Sequence, residues 1–205
     1  MRIIVDMDEL LVDFVGGAAK IHGVTVQKVW DNWPIGSWDM SKAVGLAKGM
    51  EHAMTMDQFW HPINCNATFW ERLKEHSWAR DLMSLVYTYS KDSNNWRIVS
   101  APARCESSHV GKIRWLRRFF MDPTFDKFAL TPHKFDYARA DSVLIDDRES
   151  NCEEFIRHGG NAILFPAYNN RRYAERHTPM VSVREELRIL WDASKTVFPS
   201  GKSAE

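Results

Sequence analysis

The sequence predicts an α/β fold in which helices flank a parallel sheet and a small helical cap follows the first strand. Two observations support this prediction. Short apolar runs alternate with segments of helical periodicity, which is typical of parallel sheets with right-handed crossover connections. Residues 16–77 break the alternation, because they show helical patterns without a convincing strand.

Five short apolar runs are predicted to form the strands of the sheet. They are rich in Ile, Val, Leu and Phe, and Pro102 and Pro166 end two of them. Continuous apolar runs of this length are expected of strands that helices cover on both faces. In chain order, the predicted strands are residues 2–6, 96–102, 125–131, 142–147 and 161–166.

Helical periodicity marks the segments between the strands and the end of the chain. In the predicted helix over 109–120, Val110, Ile113, Leu116 and Phe119 recur at three-residue steps, so we expect them to face the core. Similar patterns predict helices over 79–90, 151–158 and around 183–191, and helical pieces of the cap over 17–30, 41–54 and 67–76.

These patterns divide the chain into a core and an insertion. We expect the core domain to comprise residues 1–15 and 78–198, and the cap to comprise residues 16–77. Residues 199–205 are small and polar, and we expect them to fray. Within them, "GKS" at 201–203 superficially resembles a phosphate-binding loop, but Thr196 stands where the first Gly of that motif belongs.

Composition restricts the class of protein and its partners. The 27 basic and 27 acidic side chains balance to a net charge of zero, which argues against an extended nucleic-acid surface. No apolar run has the length of a membrane span. The three cysteines are widely spaced and form no C-x-x-C pair, which suits a reducing compartment. We therefore expect a cytoplasmic protein that acts on a small molecule, and a homodimer is left open.

Polar side chains stand at the carboxyl ends of four predicted strands. In an open α/β sheet, ligands bind outside these ends, so we expect the side chains to meet in one place. Each alone has an ordinary explanation, since an Asp at a strand end is most often a turn residue or a helix cap. The residues are Asp6, Asp8, Ser100, Lys134, Asp146 and Asp147.

Together these residue types suit phosphate chemistry. Three carboxylates can hold a hard cation such as Mg²⁺, which prefers oxygen ligands and offsets the repulsion between the acids. A Lys ammonium and a Ser hydroxyl can bind phosphate oxygens. A carboxylate beside a metal-bound phosphate can attack phosphorus and form an aspartyl-phosphate.

Four segments resemble the motifs of the haloacid dehalogenase (HAD) superfamily of phosphotransferases, in that superfamily's order. They are "DMDELLVDF", "VSAP", "TPHK" and "LIDDRESN". More narrowly, the sequence is similar to the 5'(3')-deoxyribonucleotidase family, whose helix after the second motif also resembles "HVGKIRWLRRFF". The second motif departs from that family, because Ala101 stands where relatives often have a second hydroxyl residue. The resemblance implies a HAD-like, three-layer Rossmannoid sheet with the cap inserted after the first strand.

The resemblance also implies roles for the residues at the strand ends. Asp6 would be the nucleophile, and Asp8 would be the general acid and then the base for water. Asp6, the backbone carbonyl of Asp8, and Asp146 would hold Mg²⁺ as the cofactor. Ser100 and Lys134 would bind phosphoryl oxygens.

Three further acids lie in or beside the motifs. Asp147 is expected either to bind Mg²⁺ through water or to pair with Lys134. Glu9 and Asp13 are interpreted as structural residues without a role in the chemistry.

The resemblance implies hydrolysis of (deoxy)nucleoside monophosphates to nucleoside and phosphate, with the base held by the cap. Phe14, Trp38, Phe59 and Trp60 are the candidates for the base pocket, because aromatic rings stack on bases of any sequence. The alternative substrate is another small phosphomonoester or a polynucleotide 3'-phosphate end. A receiver-like signalling module is disfavoured, because it lacks a cap and carries its phosphorylated Asp after a later strand.

Overall fold

The computed structural model describes residues 1–64, 66–90, 92 and 94–197, and in them the predicted α/β fold is confirmed. Five parallel strands form one sheet in the order β3-β2-β1-β4-β5. Each predicted run contains one strand; the strands are β1 (Arg2–Val5), β2 (Trp96–Ser100), β3 (Phe128–Leu130), β4 (Ser142–Asp146) and β5 (Asn161–Leu164). The predicted tail over 199–205 lies outside the described residues.

β1 is the central strand, and its register determines which residues leave the sheet together. Val5 pairs with Ile98 of β2 on one side and with Ile145 of β4 on the other. The backbone N–H of Asp6 donates to the carbonyl of Ile145 at 3.0 Å. Asp6 and Asp146, which directly follow the paired residues, therefore leave the sheet side by side.

The insertion after β1 is helical, as predicted. It contains α1 (Phe14–Ile21), α2 (Val26–Asp31), α3 (Met40–Ala47), α4 (Met56–Trp60) and α5 (Ala67–Glu71). The helix predicted over 17–30 is two helices. The break falls where Gly23 adopts a φ of 72°, a conformation that glycine takes without steric cost. The Thr25 side chain then accepts from the N–H of Lys28 and begins α2.

The two ends of the cap meet at the core. The N–H of Asp13 donates to the carbonyl of Lys74 at 2.9 Å. Next to this hydrogen bond, Val12 pairs with Glu75 in an antiparallel bridge. The chain therefore enters and leaves the insertion at almost the same point.

Four longer helices belong to the core: α6 (Ala79–Ser90), α7 (Glu106–Phe119), α8 (Glu149–Arg157) and α9 (Pro179–Val197). In α7, the predicted buried face is wrong at its N-terminal end. Val110 is 42% exposed, and the buried residues are Ser108, Gly111, Lys112, Trp115, Leu116 and Phe119. None of the helices in the described part of the chain is long and apolar enough to cross a membrane.

The cap rests on the core where α5 packs against α7. A Cβ added at Gly111 would lie 2.4 Å from the Cβ of Trp70 and 2.7 Å from the carbonyl oxygen of Ala67. The indole N–H of Trp115 donates to the carbonyl of Leu73 at 2.8 Å. This close approach turns the face of α7 that carries Gly111 toward the cap and leaves Val110 outside.

We expect Gly111→Ala to destabilise the fold by about 1–3 kcal/mol, because the added methyl group overpacks the contact between α5 and α7. In an exposed helix the same change would stabilise by about 1 kcal/mol, so the sign reports the contact. Chemical denaturation measures the free energy of unfolding. Val110→Ala, on the exposed side of the same helix, is the matched control and should change that free energy by less than about 0.5 kcal/mol. A raised stability in Gly111→Ala would contradict the packing.

Candidate active site at the carboxyl ends of the strands

Three carboxylates converge at the carboxyl ends of β1 and β4. Asp6 follows β1 directly, Asp146 is the last residue of β4, and Asp147 comes next in the chain. One carboxylate oxygen from each lies within 4.8 Å of the others, and all three residues are buried. Because like charges at this separation repel, the cluster favours a cation among its oxygens.

Lys134 supplies one positive charge to this cluster. It begins a short 3₁₀-helix (Lys134–Tyr137) after β3, and its ammonium nitrogen lies 2.7 Å from Asp6 Oδ1 and 2.5 Å from Asp146 Oδ2. Burial disfavours the ammonium, but attraction to Asp146 and Asp6 outweighs burial and raises the pKa of Lys134. The side chain therefore remains charged and ties the two acids together.

Asp146 has further partners that orient its carboxylate. Its Oδ1 accepts from the N–H of Arg148 at 2.9 Å, and its Oδ2 accepts from the amide of Asn151 at 3.0 Å. Burial, partly offset by Lys134, raises the pKa of Asp146. Asn151 lies on α8 and belongs to the fourth motif. The sequence assigned it no role, and only the structure shows that it contacts the site.

Asp147 faces a different set of groups: within the described part of the chain, the salt bridges of Lys134 go to Asp6 and Asp146. Its Oδ2 accepts from the side-chain amide of Asn169 at 2.8 Å, and its backbone carbonyl accepts from Asn170 at 2.7 Å. Burial, followed by repulsion from Asp146 and Asp6, raises the pKa of Asp147 well above its usual value. Sequence reasoning missed Asn169 and Asn170, because they lie in a loop without periodicity after β5.

Asp8 belongs to the turn beyond β1, and a second buried Lys holds it. The ammonium of Lys112 donates to Asp8 Oδ2 at 2.5 Å, to the hydroxyl of Ser100 at 2.8 Å and to the carbonyl of Ala101 at 3.1 Å. Burial raises the pKa of Asp8, and the Lys112 ammonium offsets part of the rise. Ser100 is fully buried. Lys112 therefore links Asp8, the predicted acid, to Ser100, the predicted phosphate ligand.

Lys112 is the main site residue that the sequence prediction missed. The predicted stripe of α7 ran through Val110 and Ile113, which placed Lys112 on the solvent side. In the structure, Ser108, Lys112 and Trp115 share the buried face. Lys112 lies four residues after Ser108 and three before Trp115. A helical stripe drawn through these three residues would have placed it on the buried face.

Glu9 and Asp13 make contacts with the backbone at the start of the cap. Glu9 Oε1 accepts from the N–H of Val15 at 2.8 Å, and Glu9 Oε2 lies 3.7 Å from His76 Nε2. Asp13 caps α1 by accepting from the N–H of Gly16 at 2.6 Å. Glu9 has a φ of 59°, which shows that the turn after β1 is tightly folded.

Three of the four candidates for the base pocket lie in one aromatic cluster. The ring centroids of Phe14 and Trp60 are 6.0 Å apart, and those of Phe59 and Trp60 are 5.2 Å apart. Phe14 also stacks on Trp70, whose ring lies 5.3 Å from the Lys112 ammonium. The cluster therefore extends from the cap to the residue that holds Asp8.

The members of this cluster differ in accessibility. Phe14 is 4% exposed and Phe59 is 2% exposed, so both are placed as packing partners rather than as open stacking surfaces. Trp60 is only partly buried. Trp38 contacts Trp33 and lines a cavity of about 320 Å³ that also includes Glu9 and Asn169, the residue bonded to Asp147.

The donor set suits Mg²⁺. Asp6, Asp146 and Asp147 offer three buried carboxylates, which are oxygen ligands of the kind that this cation prefers. Asp8 Oδ1 is also buried and has no hydrogen-bond partner. Unsatisfied buried oxygen atoms beside clustered acids are the features that a bound cation or a ligand would complete.

Comparison with known proteins supports the fold. No protein-family model matches the sequence, and no curated protein shows significant sequence similarity to it. A HAD family hydrolase from Deinococcus radiodurans R1, with bound phosphate and sodium, has a similar structure with a TM-score of 0.57 and 13% identity over 92% of this chain and 95% of that chain. A hydrolase from Streptococcus pneumoniae TIGR4 is similar with a TM-score of 0.50 and 15% identity, over 84% of this chain and 96% of that chain.

These likenesses concern the fold, and they cover the sheet together with the insertion. The chain therefore has the α/β fold of the HAD family hydrolases.

Proposed function

We propose that this protein is a Mg²⁺-dependent phosphomonoester hydrolase that forms an aspartyl-phosphate on Asp6. One observation carries the proposal: Asp6 contacts the buried ammonium of Lys134 and adjoins Asp146, while Asp8 is held by Lys112 beside Ser100. This arrangement supplies a nucleophile, an acid, a cation site and donors for phosphate oxygens in one place.

The proposed reaction has two steps. A carboxylate oxygen of Asp6 attacks phosphorus, and the bond between phosphorus and the leaving oxygen breaks while Asp8 donates a proton to that oxygen. Asp8 then takes a proton from water, whose oxygen attacks the aspartyl-phosphate and releases phosphate and free Asp6. Lys134 and Ser100 bind phosphoryl oxygens and orient the phosphate for attack.

Asp6, the backbone carbonyl of Asp8, and Asp146 would hold Mg²⁺. When bound, the cation neutralises phosphate charge and so reduces its repulsion of the attacking carboxylate. Asp147, bonded to Asn169, lies next to this set and would bind the cation through water.

We further propose that the leaving group is a nucleoside, as in 5'(3')-deoxyribonucleotidases. The resemblance of the four motifs supports this substrate class. The aromatic cluster also supports it, because Trp70, 5.3 Å from the Lys112 ammonium, stacks on Phe14, and Phe14 contacts the partly buried Trp60. Aromatic stacking suits the flat face of a base.

We expect Asp6→Asn to lower turnover of any phosphomonoester substrate by at least about a thousandfold, because the amide cannot replace the attacking carboxylate. Steady-state hydrolysis measures the loss. Acid quenching with radiolabelled substrate should trap label on the native protein and none on the variant. Asp126→Asn, an exposed acid in the same chain, is the control. Full turnover by Asp6→Asn would disprove the mechanism.

Removal of divalent cations with a chelator should abolish activity, and added Mg²⁺ should restore it. Asp146→Asn should raise the Mg²⁺ concentration for half-maximal activity by at least about tenfold, because a ligand of the cation loses its charge. Mg²⁺ titrations of activity in both proteins provide the measurement. An unchanged midpoint would remove Asp146 from the cation site.

Trp60→Ala should raise KM for nucleoside monophosphates by about 5- to 150-fold, since stacking of one base contributes about 1–3 kcal/mol. The KM for p-nitrophenyl phosphate should not change in parallel. Tyr87→Ala removes a half-exposed ring that contacts Trp96 at the start of β2, away from the carboxyl ends of the strands, and is the control. A panel of nucleoside monophosphates, sugar phosphates and oligonucleotide 3'-phosphates identifies the substrate class. If the protein shows no preference for nucleotides, the nucleotidase proposal is wrong, and the substrate is one of the alternative phosphomonoesters.

A further inference from the structure

We propose that Lys112 is a positioning residue for Asp8: it fixes one carboxylate oxygen and leaves the other free for proton transfer to the leaving group. The inference rests on the proposed function, since it concerns the acid of that reaction. It adds a residue from α7 to a site built mainly from the ends of the strands and the segments that follow them.

The contacts of Lys112 account for its whole hydrogen-bonding capacity. An ammonium group has three N–H donors. They meet three acceptors, which are Asp8 Oδ2 at 2.5 Å, Ser100 Oγ at 2.8 Å and the carbonyl oxygen of Ala101 at 3.1 Å. With every donor used, the nitrogen has one favourable position.

The stem of Lys112 is equally constrained. The residue is 0% exposed, and Gly111 beside it lies against Trp70 and Ala67 of the cap. Burial of a charge is costly unless the charge is paired, and an apolar side chain would fill the same face of α7 without that cost. The ammonium therefore serves the groups it reaches, of which Asp8 is the one closest to it.

Asp8 is the acid that needs such support. Asp6 is fixed by the sheet through its hydrogen bond to Ile145, whereas Asp8 lies in the turn beyond β1 and its side chain is 27% exposed. The contact with Lys112 occupies Oδ2. Oδ1 is enclosed by the protein and has no hydrogen-bond partner, so the contact with Lys112 leaves its proton-binding position unused.

This division of the two oxygens matches the first step of the reaction. The bond from Asp6 to phosphorus forms while the bond to the leaving oxygen breaks, and Oδ1 of Asp8 passes its proton to that oxygen. The carboxylate that results already faces the Lys112 ammonium through Oδ2. In the second step this carboxylate takes its proton back from water, and no further reactant is needed.

A series of aryl phosphates with leaving groups of different acidity tests the proposal in the full-length protein. Because kcat/KM reports the steps through departure of the leaving group, its dependence on leaving-group acidity reveals the acid. Lys112→Met should lower kcat/KM by about a hundredfold for the least acidic phenol and by less than about threefold for p-nitrophenol. Arg117→Met removes an exposed charge from the same helix and should leave the dependence unchanged. A uniform loss across the series, or no loss, would overturn the proposal.

A double-mutant cycle separates an effect through Asp8 from a general effect. In an Asp8→Asn background, Lys112→Met should lower kcat/KM by less than about threefold more, because the acid is already absent. A second loss as large as the first would show that Lys112 acts through another group, such as Ser100, and would overturn the proposal.

A crystal structure of Lys112→Met supplies a result that needs no substrate. The carboxylate of Asp8 should rotate or occupy more than one conformation; an unchanged Asp8 would overturn the proposal. If the native protein hydrolyses neither aryl phosphates nor nucleotides, the proposed function fails, and the crystal structure still decides whether Lys112 positions Asp8. If Lys112→Met does not fold, Lys112→Gln provides the same comparison with the charge removed.

Discussion

The ion pairs between two buried lysines and the acids of the site are the constraint on which the rest of this structure depends. Lys134 lies between Asp6 and Asp146, and Lys112 holds Asp8. Each charge would be costly to bury alone. Because the acids outnumber the lysines in this cluster, a polyanionic phosphate would bind poorly without an added cation. The requirement for Mg²⁺ in the proposed reaction therefore follows from the charges of the site itself.

The two lysines connect the site to different parts of the fold. Lys134 comes from the loop after β3 and acts on residues at the ends of strands. Lys112 comes from α7, which packs against Trp70 of the cap. In the proposed reaction, the nucleophile would thus be aligned by the sheet, and the acid by the junction of core and cap. In the proposed enzyme, the cap would contribute to proton transfer as well as to recognition of the leaving group.

The fold and the residues at the strand ends were predictable because they follow from simple patterns. Apolar runs that end in Asp, Ser or Asp-Asp identify buried parallel strands and the edge where a ligand binds. Lys112 was missed because three-residue spacing in α7 selected a stripe through Val110, and only the contact with the cap selects the other stripe. Asn169 was missed because its approach to Asp147 depends on a loop path that no local pattern encodes. Burial of Phe14 depends likewise on rings distant in sequence.

Because the two ends of the cap lie side by side, the insertion could be exchanged as a unit. The pairing of Val12 with Glu75, and of Asp13 with Lys74, closes the core at the point where the insertion begins. A segment that enters and leaves at neighbouring positions can lengthen or be replaced without altering the register of the strands, since loop-closure entropy grows slowly with length. If the proposed function is right, evolution can exchange the part that recognises a substrate and keep the part that breaks the phosphate bond. The packing of Gly111 against Ala67 and Trp70 sets a steric condition that a replacement cap must meet.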